Sequence, residues 1–177
     1  MKTVLLFSLS LFLNSCSCKK STVDNQAGTM TKTTTLLSDC PTDGKCTIEI
    51  FPNKSMNIQT DGTGAMYNQL VDSKETSVIV YQYNRDVPEG LQDGNYREEI
   101  IFEIKNSDSN LVISGNDLQQ SKMLFGRFCF CRGQTGYYKV TDGNLNLTQK
   151  DKSITFNLSF TVNEVPQIIK TIQASIQ

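Results

Sequence analysis

From Cys40 onward the chain alternates apolar and polar residues with a period of two. Ile154, Phe156, Leu158, Phe160 and Val162 interleave with Thr155, Asn157, Ser159 and Thr161, the pattern of a strand with one buried face and one wet face. Ile100, Phe102 and Ile104 stand in the same relation to Glu99, Glu103 and Lys105. Val78-Ile79-Val80-Tyr81 is apolar on both faces and predicts a strand in the interior of a sheet. Further strands are expected at Thr47–Phe51, Ser55–Thr60, Met66–Val71, Leu111–Ser114, Leu124–Cys131, Tyr137–Val140, Leu145–Gln149 and Gln167–Ile176. Asp61-Gly62, Asp93-Gly94 and Asp142-Gly143 offer the positive φ that tight hairpin turns need. No segment carries a sustained 3.6-residue stripe, and a single helical turn is expected at Asn116–Lys122, capped by Asn116 with Leu118 inward. The fold class is therefore all-β: a single antiparallel β-sandwich, with a meander β-barrel as the alternative.

The N-terminus follows a different pattern. After Lys2, residues Val4 to Leu13 form an apolar run, shorter than the roughly 20 residues that span a bilayer as a helix. Residues 1–15 are accordingly expected to be a cleaved signal peptide. Leu13-Asn14-Ser15-Cys16 resembles the lipobox of bacterial lipoprotein signal peptides, with Asn14 standing where Ala, Ser or Thr is usual. Cys18 fits less well, because it would put Ser15 at the apolar position. The resemblance implies cleavage before Cys16, lipidation of that cysteine, and a place in the cell envelope, on the outer membrane of a Gram-negative bacterium. The alternative is an ordinary secretory signal with incidental cysteines. Since one acyl chain holds only marginally, two or three are needed for a durable anchor.

Residues 16–38 are rich in Ser, Thr, Lys, Asn and Gln, with Thr29, Thr31, Thr33, Thr34 and Thr35 in the second half. Too little apolar area is present to offset ordering, so a disordered tether is expected; an edge strand over Thr31–Leu37 is the alternative. Residues 39–177 then form the β-domain. Its last third, Gly136–Val140, Gly143–Leu147 and Ile154–Val162, is loosely similar to the C-terminal strands of small β-rich surface lipoproteins. That similarity implies an architecture and no activity.

Composition narrows the function classes. Losing residues 1–15 removes Lys2 alone among charged residues, taking the net charge from −1 to −2, so no nucleic-acid partner is indicated. The expected partners are the membrane, through the N-terminal lipid, and an envelope protein or glycan. No cofactor is called for. The chain has no His, which removes the commonest general base and the usual triads, and no catalytic residue is assigned. Glu98 and Glu99 point to opposite faces of their strand and read as a surface residue and a rim charge.

Four of the six cysteines, Cys40, Cys46, Cys129 and Cys131, fall in the β-domain, and in an exported protein they predict disulfides. Along one strand Cys129 and Cys131 would lie about 6.6–6.8 Å apart, at the long limit for a bridge. Pairing each with Cys40 or Cys46 is therefore preferred, closing loops worth roughly 4 kcal/mol each; local pairs are the alternative. The same four sulfurs also make a thiolate site for zinc or Cu(I), the competing functional class, although the Cys40 to Cys46 spacing is wider than in common zinc knuckles. Redox exchange is a further alternative. Asn106, Asp108, Asn110 and Asp117 read as a polar hairpin turn rather than a calcium loop, because Leu111 stands where such a loop needs Gly. Tyr81 with Tyr83 and Tyr137 with Tyr138 are candidates for stacking on sugars, with core packing favoured. The long loop Arg85–Asn95 is the preferred contact surface. The reading is a membrane-anchored envelope lipoprotein that acts as a binding or structural module.

Overall fold

Alternating strands must bury their apolar face against another layer, and in this chain that layer is a second sheet. A computed structural model describes residues 33–177; the signal segment, Cys16, Cys18 and the tether up to residue 32 lie outside the described residues. Twelve strands follow in order: β1 (Thr34–Leu36), β2 (Gly44–Phe51), β3 (Lys54–Thr60), β4 (Met66–Asp72), β5 (Thr76–Arg85), β6 (Tyr96–Lys105), β7 (Asn110–Ser114), β8 (Leu124–Cys129), β9 (Gly136–Lys139), β10 (Asp142–Lys150), β11 (Ser153–Thr161) and β12 (Thr171–Ile176). They form an antiparallel sandwich of a five-stranded sheet, β1-β12-β11-β10-β7, and a seven-stranded sheet, β2-β5-β6-β8-β9-β4-β3.

The core between the sheets is made by the residues the alternation marks. Phe156, Leu158 and Phe160 of β11 meet Ile100, Phe102 and Ile104 of β6, with Phe102 edge-on to Phe156 at 5.5 Å. A 3-10 helix, Gly115–Ser121, caps this core with buried Leu118, as the sequence predicts. Its N-cap is Ser114 rather than Asn116.

The segment read as tether enters the fold earlier than expected. Thr34–Leu36 pairs with Ile176–Ala174 of β12, and Leu36 packs on the core. An unpaired β12 edge would leave backbone donors and acceptors to water; beyond the ladder, the N–H groups of Leu37 and Ser38 donate to Gln173 O and that of Gln177 to Thr33 O.

The seven-stranded sheet curls until the hairpin β3–β4 lies over the outer face of β5, β6 and β8. Met56, Val78, Ile101 and Leu124 form a second, smaller core beneath it. No ladder joins the terminal strands β2 and β3, so the sheet stays open and the barrel alternative falls. Glu103 holds β3 in place instead: its carboxylate accepts from the backbone N–H of Met56, from Ser55 Oγ at 2.7 Å and from Lys122 Nζ at 2.8 Å. The expectation that Glu99 and Glu103 face water is thereby corrected, since they are 5% and 7% exposed. A strand carries no mark of what later covers its second face.

Turn chemistry also departs from the Asp-Gly reading. The left-handed residues are Gly64 and Gly90 in two of those loops, while Gly143 sits inside β10. The hairpin β10–β11 turns on Asp151 and Lys152, both at positive φ without any glycine.

Candidate functional site

The strand ends Asn84–Arg85, Tyr96–Arg97 and Phe128–Cys129 meet the loop 86–95 at one end of the seven-stranded sheet, around an open groove of about 620 Å³. The loop Arg85–Asn95, preferred from the sequence, thus lines this groove through Arg85, Gln92, Asp93 and Asn95. Two arginines converge on it, each laid on a ring: Arg85 over Tyr96 at 4.6 Å and Arg97 over Phe128 at 4.3 Å. Such stacking fixes the guanidinium plane and leaves its edge donors free. Arg97 makes no ion pair among the described residues, and its buried Nε has no hydrogen-bond partner there. Phe130, which also lines the groove, is 85% exposed.

Both disulfides brace this end of the molecule. Cys40 is bonded to Cys46 and Cys129 to Cys131, with Cα atoms 5.8 and 5.1 Å apart, which corrects the preferred cross-pairing. In the strand order, β5 and β6 separate β2 from β8, so Cys46 and Cys129 stand three strand spacings apart, about 14 Å. That is too far for a bridge, and it also keeps the four sulfurs from gathering at one metal. The Cys129–Cys131 bond becomes feasible because β8 ends at Cys129 and the chain bends after it, drawing the Cα atoms closer than extended backbone allows.

The longer of the two disulfide loops, Cys40 to Cys46, carries Asp43, whose carboxylate accepts from Tyr83 Oη at 2.8 Å and pairs with Arg85 Nε at 3.2 Å. The Tyr83 hydroxyl, and then Arg85, hold Asp43 below the usual carboxylate range. One disulfide therefore orients Arg85 through Asp43, and the other presents Phe130.

Tyr96 joins the groove to the core. Its hydroxyl donates to Glu98 at 2.6 Å and accepts from Arg127 Nε at 3.3 Å, and burial, followed by the Glu98 contact, pushes its pKa up to about 12. Glu98 was read as a surface or rim residue and is instead 1% exposed. Its carboxylate accepts the backbone N–H groups of Ile168 and Ile169, both at 2.7 Å. Glu99 does point to the opposite face, where Tyr137 Oη and Gln82 Nε2 donate to it at 2.6 and 2.8 Å. That carboxylate lines a separate cleft of about 240 Å³ between β2 and β4.

The tyrosines proposed for stacking are not presented to solvent as platforms. Tyr81 and Tyr83 belong to the main core and Tyr138 packs against it, while Tyr137 lies half-buried with Phe128 edge-on at 5.2 Å. The ring presented at the groove is that of Phe130, which was not among the residues expected from the sequence. Its signal was legible, because an apolar residue between two cysteines of one face points away from them. Arg97 carried no such signal. Asn106 is held in the turn after β6, accepting from Ser77 Oγ and donating to Lys74 O, and among the described residues no group of three or more His, Cys, Asp or Glu is placed to hold a metal. No family model, curated protein or solved structure matches the chain.

Proposed function

We propose that this chain is a lipid-anchored binding module of the cell envelope, tethered to the outer membrane through Cys16 and engaging its ligand in the groove between the loop 86–95 and Phe130. One observation carries the binding half of this reading: a large exposed ring and an arginine without an ion pair face the same braced groove. Exposing an aromatic side chain forgoes its burial energy, about 2 kcal/mol or more, and a cation stacked but unpaired is available for a ligand. The anchor rests on the Leu13-Asn14-Ser15-Cys16 resemblance.

Each half has its own test. Mass spectrometry of the mature N-terminus is expected to find diacylglycerol on Cys16, and an unmodified Cys16 removes the anchor. For the groove, a photoreactive residue is placed at Phe130 in intact cells, with the same residue at Gln173 on the outer face of the five-stranded sheet as control. An adduct confined to position 130 is expected; equal labelling at both positions, or none, refutes the groove as the contact surface.

A further inference from the structure

Resting on that reading of the groove, we infer that its ligand is an acidic saccharide, a sugar chain bearing a carboxylate or phosphate. The chemistry lining the groove divides into three parts that match such a molecule. Arg97 supplies the anion site: its face is taken by Phe128, and no carboxylate of the protein forms an ion pair with it among the described residues. With Nε buried, a guanidinium held in this way offers the N–H groups of its two terminal nitrogens as a planar fork, which carboxylate and phosphate accept bidentately. Phe130 supplies an apolar ring to lie against the C–H face of a pyranose. Asn84, Gln92, Asn95 and Thr135 supply neutral donors and acceptors for hydroxyl groups, and Asp93 accepts from them without providing a second cation site.

The same lining disfavours other anionic partners. Nucleic acid and anionic membrane surfaces are held by many basic residues acting together, whereas two arginines enter this groove and one of them is already paired with Asp43. A peptide added as a strand needs an unpaired sheet edge. Here β5, β6 and β8 are interior strands, each with a neighbour on both sides.

The test titrates the full lipidated chain, extracted in a neutral detergent, with three oligosaccharides by calorimetry: an oligogalacturonate, its carboxyl-reduced neutral counterpart, and a phosphorylated oligomannose. At least one acidic oligomer is expected to bind at least tenfold more tightly than the neutral one, with affinity falling as salt rises; comparing the two acidic oligomers separates a carboxylate site from a phosphate site. Arg97→Gln is expected to lower acidic binding about ten- to a hundredfold, the range of a charge-assisted hydrogen bond, while sparing the neutral oligomer. Phe130→Ala is expected to weaken all of them, and unchanged thermal unfolding of both variants certifies their folds. Equal affinity for acidic and neutral oligomers overturns the inference of an anion site and leaves the groove reading standing. No saccharide binding, together with a photoadduct at position 130, overturns the saccharide and again leaves the groove. Acidic binding that survives both substitutions overturns the assignment to this groove.

Discussion

Replacing Glu98 tests whether one carboxylate locks the two sheets together. Glu98 lies on the core face of β6, and its two oxygens accept the backbone N–H groups of Ile168 and Ile169 at 2.7 Å each, in the connection that leads into β12 of the facing sheet. Tyr96 donates a third bond at 2.6 Å. Hydrogen bonds to a charged group are worth about 1.5–3 kcal/mol each, and a buried donor left without a partner costs about 1–3 kcal/mol. In Glu98→Ala the Tyr96 hydroxyl keeps Arg127 beside it and can turn, but the two backbone donors are fixed by the chain. Removing a buried charge also relieves its desolvation, which offsets part of the loss. The net expectation is a destabilisation of about 3 kcal/mol, a large share of a typical domain stability of 5–15 kcal/mol.

Glu99→Ala is the internal control. The donors to Glu99 are the Tyr137 hydroxyl and the Gln82 amide, side-chain groups beside an open cleft of about 240 Å³ that reach water once the carboxylate is gone. A loss of about 1 kcal/mol is expected there. Urea unfolding followed by circular dichroism, with a shared m-value, measures both. If Glu98→Ala costs no more than Glu99→Ala, the argument from immobile backbone donors is wrong.

The disulfides make a further contrast: the short loop Cys40 to Cys46 stabilises by about 2 kcal/mol in the chain-entropy model, against about 4 for a cross-chain staple. Cys40→Ser/Cys46→Ser is expected to lose the smaller amount, and non-reducing digestion that links a Cys46 peptide to a Cys129 peptide contradicts the pairing. Gly143→Ala is expected to cost about 2 kcal/mol or more, because φ is 144° and a Cβ would stand 2.2 Å from Ser159 O; an unchanged urea midpoint refutes this. Burial raises the hydroxyl pKa of Tyr81 and of Tyr96 to about 12, and that of Tyr137 further still. A raised pKa favours the neutral phenol in the fold, so this stabilisation is complete below the unfolded value near 10 and is lost as pH climbs from about 10 toward 12. Stability measured across that interval should fall, and a flat profile would contradict the burial of these hydroxyls.

The period-two pattern by itself determined the class of fold, most of the strands and the inner face of β6 and β11, because alternation is a local property that any half-buried strand must show. Ile154 to Phe160 and Ile100 to Ile104 could be assigned to a core before any partner was known. Pro88, Gly90 and Gly94 marked Arg85–Asn95 as a long loop. The alternation misread Glu98, Glu99 and Glu103, whose burial depends on how far the seven-stranded sheet curls and on the β11–β12 connection arriving from the other sheet. Cysteine pairing was decided at the same level. Insertion of β5 and β6 between β2 and β8 sets the distance, and the end of β8 at Cys129 allows the local bond. Arg97 and Phe130 became a site only when those strand ends met. Tertiary structure decided all of these because each depends on which strands lie side by side, and strand order is a property of distant segments that no window of the chain contains.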